Sequence, residues 1–371
     1  MTLADMHALI SEAETTLASG DLDAAMDACD RALDSHQADT PVDTVDALLR
    51  CGINLGATLA RQGRFPDGIQ VFEDVLFTLG DRQEPELQMG IALAGLNRAR
   101  AIGASVSDLE GEKAALEAAE RHEKNDDPAL RAITIRALNL AAGFAAHQGA
   151  EQRADAYHNA VLALSGEEEL PGAEAAQAAA QCQALYRLDP AADPKAMRQA
   201  VQAFLDRYDG TVHPDIQSNL AEAGLLLCQA LEAEGDLGGA MAGYRRSVAQ
   251  VMAYDRPDME ALLAHAELNL GRLLGRQGQG AEALQAFAAL TERFRDHADL
   301  AVRQNVIDAL YLSACLQAGD GDAAGAADLL RAVSDQAGGI EPEMIADDPH
   351  FAAIRQTEAF RALLAELSQA R

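Results

Sequence analysis

Pro85, Pro128, Pro171, Pro214 and Pro257 are spaced by 43 residues, four intervals in succession, and Pro41 and Pro342 fall one residue off the same ladder. A second ladder runs between these prolines: Gly20, Gly63, Gly149, Gly235, Gly278 and Gly321, with Val106 and Ala192 in the two remaining places. A fixed period of this size is the signature of a repeat array. Such a core grows along one axis, so a chain of 371 residues need not divide into independent domains. Proline suits the first position of a helix, because its φ is preset and its missing N–H has no partner there anyway. Each period therefore reads as a proline-opened helix A, a Gly or Gly-Asp turn, and a helix B. Asp127-Pro128 and Thr40-Pro41 supply caps ahead of the proline.

This frame predicts helices A over 3–18, 41–62, 85–103, 128–148, 171–188, 214–234, 257–277 and 299–318, with helices B from 21–35 through 322–336. It also predicts which face of helix B is buried. Five residues after the turn position stand Ala25, Gly68, Gly111, Ala154, Met197, Ala240, Ala283 and Ala326, small in all but one case where two helices cross. Nine after it stand Cys29, Phe72, Ala115, His158, Val201, Tyr244, Phe287 and Leu330. Twelve after it stand Ala32, Val75, Ala118, Val161, Phe204, Ser247, Leu290 and Val333. Offsets of 5, 9 and 12 share one helical face.

Composition agrees with close helix packing: 49% of residues are apolar, only 4% are aromatic, and there is no Trp. The net charge of −30, from 59 acidic and 29 basic residues, opposes binding to nucleic acid and to anionic membrane. The five cysteines, at 29, 51, 182, 228 and 315, lack CxxC spacing and read as buried thiols in a reducing compartment. No basic leader precedes the first helix and no run approaches 18 uninterrupted apolar residues, so a cytoplasmic chain that does not span a membrane is expected.

Aligned on the turn, the residues resemble tetratricopeptide repeats. Leu55-Gly56, Leu59, Gly63, Phe65 and Gly68 follow that pattern, as do Leu270-Gly271, Leu274, Gly278 and Ala283. In the sixth repeat Leu227, Leu231, Gly235, Leu237, Ala240 and Tyr244 follow it with Cys228 in the glycine slot. The longer period and His213-Pro214-Asp215, with its variant Arg256-Pro257-Asp258, are similar to the longer-helix class of kinesin light chains and bacterial regulators. The resemblance implies an all-α, right-handed α-solenoid of about eight helix-turn-helix repeats over 1–338. The tail, Asp347-Asp348-Pro349-His350-Phe351 followed by Phe360, Leu363, Leu364 and Leu367, reads as cap helices over 339–371 covering the last repeat. A detachable docking peptide is the other reading of that tail.

No constellation for chemistry stands out. The nine histidines form neither HExxH nor a Cys/His ligand cluster, and no GxGxxG, GxxxxGK[ST] or GxSxG is present. No catalytic, cofactor-binding or metal-binding residue is therefore nominated, no cofactor is expected, and the chain is not expected to be an enzyme. In the resembled family helix A lines the concave face, through residues 13, 10, 9, 6, 3 and 2 before the turn. In the second, third, fourth and seventh repeats these offsets hold Arg50, Asn54, Arg61, Asn97, Arg100, Arg136, Asn139, His147, His265, Asn269, Arg272 and Arg276, and no acid. The other four repeats hold Glu14, Asp189, Glu222, Glu232 and Asp308 there, and no Arg or Lys. Asn54, Asn97 and Asn269 share the slot from which, the resemblance implies, an amide bonds the main chain of a bound peptide. Arg beside them would select carboxylates. The leading expectation is a non-catalytic scaffold gripping a peptide or helix of another protein, acidic or C-terminal in character. The alternatives are that these Arg pair with the chain's own acids, that the solenoid is a sensor enclosing a small ligand or signalling peptide, or that an acidic convex face binds a basic partner in an assembly. Oligomeric state and partner identity are not legible.

Overall fold

The computed structural model describes residues 2–123, 125–166 and 170–369, and among them every regular element is helical. The chain forms two compact units, Met1–Ala184 and Leu185–Arg371. The first holds α1 (Leu3–Ser19), α2 (Leu22–Asp34), α3 (Val42–Arg61), α4 (Phe65–Leu79), α5 (Pro85–Ser105), α6 (Asp108–Glu120), α7 (Pro128–His147) and α8 (Glu151–Ser165), with α9 (Glu174–Leu185) ending at its boundary. The second holds α10 (Pro194–Arg207), α11 (Pro214–Glu234), α12 (Leu237–Tyr254), α13 (Glu260–Arg276), α14 (Gly280–Phe294), α15 (Leu300–Gly319), α16 (Ala323–Ala337), α17 (Pro342–Asp347) and α18 (Glu358–Gln369). Up to α16 the odd-numbered helices are helices A and the even-numbered ones helices B. Within each unit a helix packs on its neighbours in sequence. Helices A also touch the next helix A, as in α3 on α5, α5 on α7 and α13 on α15.

The turn glycines close helix A by one recurring geometry. Gly20, Gly63, Gly149, Gly235, Gly278 and Gly321 all lie at φ between 68 and 85°, in the left-handed region. After each, the next N–H reaches back five residues to a carbonyl oxygen: Asp21 to Thr16, Arg64 to Leu59, Ala150 to Ala145, Asp236 to Leu231, Gln279 to Leu274 and Asp322 to Gln317, all at 2.9 Å. Where the following residue is Asp it also opens helix B. The side chains of Asp21, Asp236 and Asp322 accept from the N–H three residues on. Val106 lacks this geometry, and Ser107 caps α6 by accepting from Glu110 N–H.

Helix B buries the face that the frame specifies. The entries 5, 9 and 12 residues after the turn are buried in every repeat except at the half-buried His158. A Cβ at Gly68 would lie 2.8 Å from the Gly56 carbonyl oxygen, which shows why the helix crossing demands a small residue. The Leu-Gly slot has a matching cause: a Cβ on Gly56 would meet the Phe72 ring at 2.7 Å, and one on Gly271 the Phe287 ring at 2.4 Å. An aromatic at the ninth position is thus seated on a glycine of helix A. Burying each such ring contributes about 2–3 kcal/mol.

Three helices A differ in their boundaries from the reading of the period. The fifth helix A is α9, shorter at both ends than the expected 171–188. Gly172 at φ +83° makes Pro171-Gly172 a turn, and the chain leaves the helix before Asp189-Pro190, where the residue preceding proline resists helical geometry. Pro257 opens a 3-10 turn, Pro257–Met259, ahead of α13. Pro41 caps α3 in extended geometry and is not its first residue.

After α16 the chain turns back. Phe351, Ile354, Phe360 and Leu363 form a buried cluster with Ala314, Ala318, Ala326 and Leu330 of α15 and α16. Phe351 stacks on Phe360 and meets the Tyr311 ring edge-on, with centroids 5.7 and 5.8 Å apart. Among the described residues α7 alone is long and apolar enough by composition to cross a membrane, and it packs between α6 and α8 as a core helix.

Candidate peptide-binding faces of helices A

In the first unit the nominated side chains follow one another on α3, α5 and α7. Arg50, Asn54, Arg61 and Arg100 are exposed, while Asn97, Arg136 and Asn139 are half-buried. Arg50 Nε is 3.2 Å from Asp46 one turn earlier, and Arg61 turns to Ala57 O and Thr58 Oγ1 on its own helix. His147, at the end of α7, has Nδ1 3.6 Å from Asp108. Arg136 forms no ion pair among the described residues, and the Oδ1 of Asn139 is buried without a hydrogen-bond partner. Arg136 and Asn139 stand nearly one turn apart, a donor-rich cation beside an unsatisfied acceptor.

In the second unit the row is drawn inward. Arg272 and Arg276 both approach Glu232 on the preceding helix A, at 3.4 and 3.7 Å, and Glu232 also accepts from the Tyr244 hydroxyl at 2.9 Å. Glu232 of the sixth repeat and the two arginines of the seventh are therefore partners across adjacent helices, as the internal-pairing alternative has it for these two. Asn269 is only 5% exposed, and its Nδ2 donates to His265 O at 3.0 Å. Burial holds the His265 imidazole below its ordinary pKa, with the Arg272 charge adding to the effect, so the ring is neutral at pH 7.

Asn269 and Arg272 open onto a cavity of about 790 Å³. Leu268, Asn269 and Arg272 of α13 form one side, and Asp308, Tyr311 and Leu312 of α15 form another. The chain from Val333 to Asp348 closes the remainder, contributing Ile340, Glu341 and Met344. Burial raises Asp348, but hydrogen bonds from the Tyr311 hydroxyl and from His350 outweigh it, so the carboxyl sits below its usual range and stays charged. Burial, with the neighbouring Asp348 charge, correspondingly raises the Tyr311 phenol.

The sequence frame nominated Asn269 and Arg272 and marked Asp308 only as an acid of the opposite set. It passed over Tyr311, Ile340, Glu341, Met344 and Asp348. Tyr311 and Leu312 occupy the ligand-facing offsets of the eighth repeat, so reading those slots for every residue type would have found them. The segment after α16 keeps only Pro342 of the ladder, and nothing in the sequence aims it at α13. A further buried carboxylate, Glu112 of α6, accepts from Gln148, Tyr157 and Arg153, and ties α6 to the end of α7 and to α8. Among the described residues no group of three or more His, Cys, Asp or Glu is arranged to hold a metal ion.

No protein-family model matches the sequence, and no curated protein matches it. Among solved structures, the apo form of RapI aligns over 78% of this chain and 97% of its own, at 13% identity and a TM-score of 0.49. A tetratricopeptide repeat protein from Parabacteroides merdae aligns over 83% and 99%, at 13% identity and 0.43. NprR in complex with its cognate peptide NprX aligns over 87% and 83%, at 14% identity and 0.44. The tetratricopeptide-like character of the repeats rests on the chain's own geometry: paired helices, a left-handed glycine turn, a small residue at the crossing, and an aromatic seated on the glycine of helix A.

Proposed function

We propose that this tetratricopeptide-like array is a non-catalytic scaffold that holds a peptide or helix segment of another protein against its helices A. The observation that carries this reading is the recurrence of Asn54, Asn97 and Asn139 on the successive helices α3, α5 and α7, with Arg136, which has no ion pair among the described residues, beside the unsatisfied Asn139. Asn54 and Asn97 stand one repeat apart and Asn139 one position off that slot, and amides so placed can donate to and accept from an extended main chain, which fixes its register. Arg50, Arg61, Arg100 and Arg136 supply positive charge along the same row of an otherwise acidic protein, and His147 ends that row on α7, which favours an acidic or C-terminal segment.

Replacing Arg50, Arg100 and Arg136 together by Glu tests this. The expected result is loss of the co-purifying partner, by about tenfold or more, with the melting temperature unchanged within a few degrees. Lost stability with undiminished partner recovery would overturn the reading, because those arginines would then serve the fold. A second reading, a sensor that takes up a small ligand or signalling peptide, is supported by the open cavity of the second unit, whose volume lies within the usual size range of ligand pockets.

A further inference from the structure

We propose that the cavity of the second unit seats an arginine side chain presented on an apolar segment of a partner protein. This site is separate from the row on α3, α5 and α7, and its ligand carries the opposite charge. Volume and lining come first. About 790 Å³ accommodates a large side chain and its neighbours, and Leu268, Ile307, Leu312, Val333 and Ile340 give it apolar walls. Met344, 54% exposed at the rim, is a flexible thioether able to pack against varied apolar partners.

The polar groups then select the occupant. Carboxylates reach the cavity from three segments: Asp308 of α15, Glu341 ahead of α17 and Asp348 behind it. Arg272, the one cation on the wall among the described residues, is turned to Glu232. The wall's other donors are turned to protein acceptors: Gln304 Nε2 donates to Asp308 Oδ1 at 2.9 Å, and the Tyr311 hydroxyl donates to Asp348. Acceptors stay open among the described residues, among them Asp308 Oδ2 and the Oδ1 of the 95%-buried Asn269, whose Nδ2 is held by His265 O. Open acceptors in a negative, apolar-walled cavity reject a carboxylate and call for a donor-only cation. Arginine fits best: its apolar stem suits the walls, its guanidinium is weakly hydrated, and its fork of N–H groups can satisfy Asp308 and Asn269 together.

The test is fluorescence anisotropy on the full chain with a positional-scanning library of fluorescein-labelled hexapeptides in apolar frames. Each arginine member is matched to its citrulline analogue, which keeps the shape and removes the charge. We expect saturable binding of arginine peptides, about tenfold or more weaker binding of the citrulline matches, and weaker binding of the glutamate matches still. Asp308→Asn should cost the arginine peptides about tenfold and leave the citrulline peptides unchanged. Arg136→Glu, in the other unit, should alter neither. Equal affinity for arginine and citrulline peptides, indifference to Asp308→Asn in a protein of unchanged melting temperature, or no saturable binding by any arginine member would each overturn the proposal. So would binding of free arginine amide as tight as that of the peptides, since the segment would then contribute nothing. Loss of binding with Arg136→Glu would move the ligand to the first unit and likewise overturn it.

Discussion

Glu267 illustrates how a single residue can carry a cost in an otherwise consistent frame. It is only 5% exposed, its Oε2 is buried without a hydrogen-bond partner, and the nearest cation, Arg293, lies 3.8 Å from its other oxygen. Burial pushes its carboxyl above the ordinary range, and Arg293 offsets this only in part. A folded-state value above the unfolded one, about 4.3, means that the folded protein binds the extra proton. Stability is then greatest below about pH 4.3 as far as this group is concerned, and falls as pH rises through the window up to the raised folded value. Glu267→Gln removes the buried charge and keeps the shape. The prediction is a gain of about 1 kcal/mol at pH 7 in urea unfolding, together with a flatter pH dependence across that window. Lower stability at pH 7 would mean that the Arg293 pair is worth more than its distance indicates.

At the scale of elements, the helices were legible because three constraints coincide every 43 residues: a proline that starts helix A, a glycine that ends it, and a small residue where helix B crosses. Gly63, Gly68 and Phe72 show why, since each has a steric reason visible in the backbone or in its neighbour. The shortening of α9 was also written in the sequence, as Pro171-Gly172 and Asp189-Pro190, but the period masked it. The candidate site was legible only in part. Asn and Arg could be placed on a face by counting, whereas the pairing of Arg272 and Arg276 with Glu232 depends on how neighbouring helices A rotate against each other. The cavity was illegible because one wall is the chain after α16, which leaves the two-helix repeat. That segment's anchoring is testable. Phe360 is fully buried against α15 and α16, so Phe360→Ala should cost about 3–5 kcal/mol and raise hydrogen exchange in α18 before it does so in α15. Equal protection of α18 in wild type and variant would show that the aromatic cluster does not hold the segment.

At the scale of the whole molecule, a net charge of −30 makes any concentration of arginine and asparagine on one set of helix faces a departure from the rest of the surface. The central claim is that partners are held on helices A and not on helices B. The most direct measurement places a photo-crosslinking amino acid, one position at a time, at the exposed residues Asn54 and Arg100 of helices A and at Gln70 and Glu110 of helices B. After irradiation in cells, the account predicts a discrete cross-linked partner polypeptide from positions 54 and 100 and none from 70 and 110. The same partner captured only from 70 and 110 would contradict it.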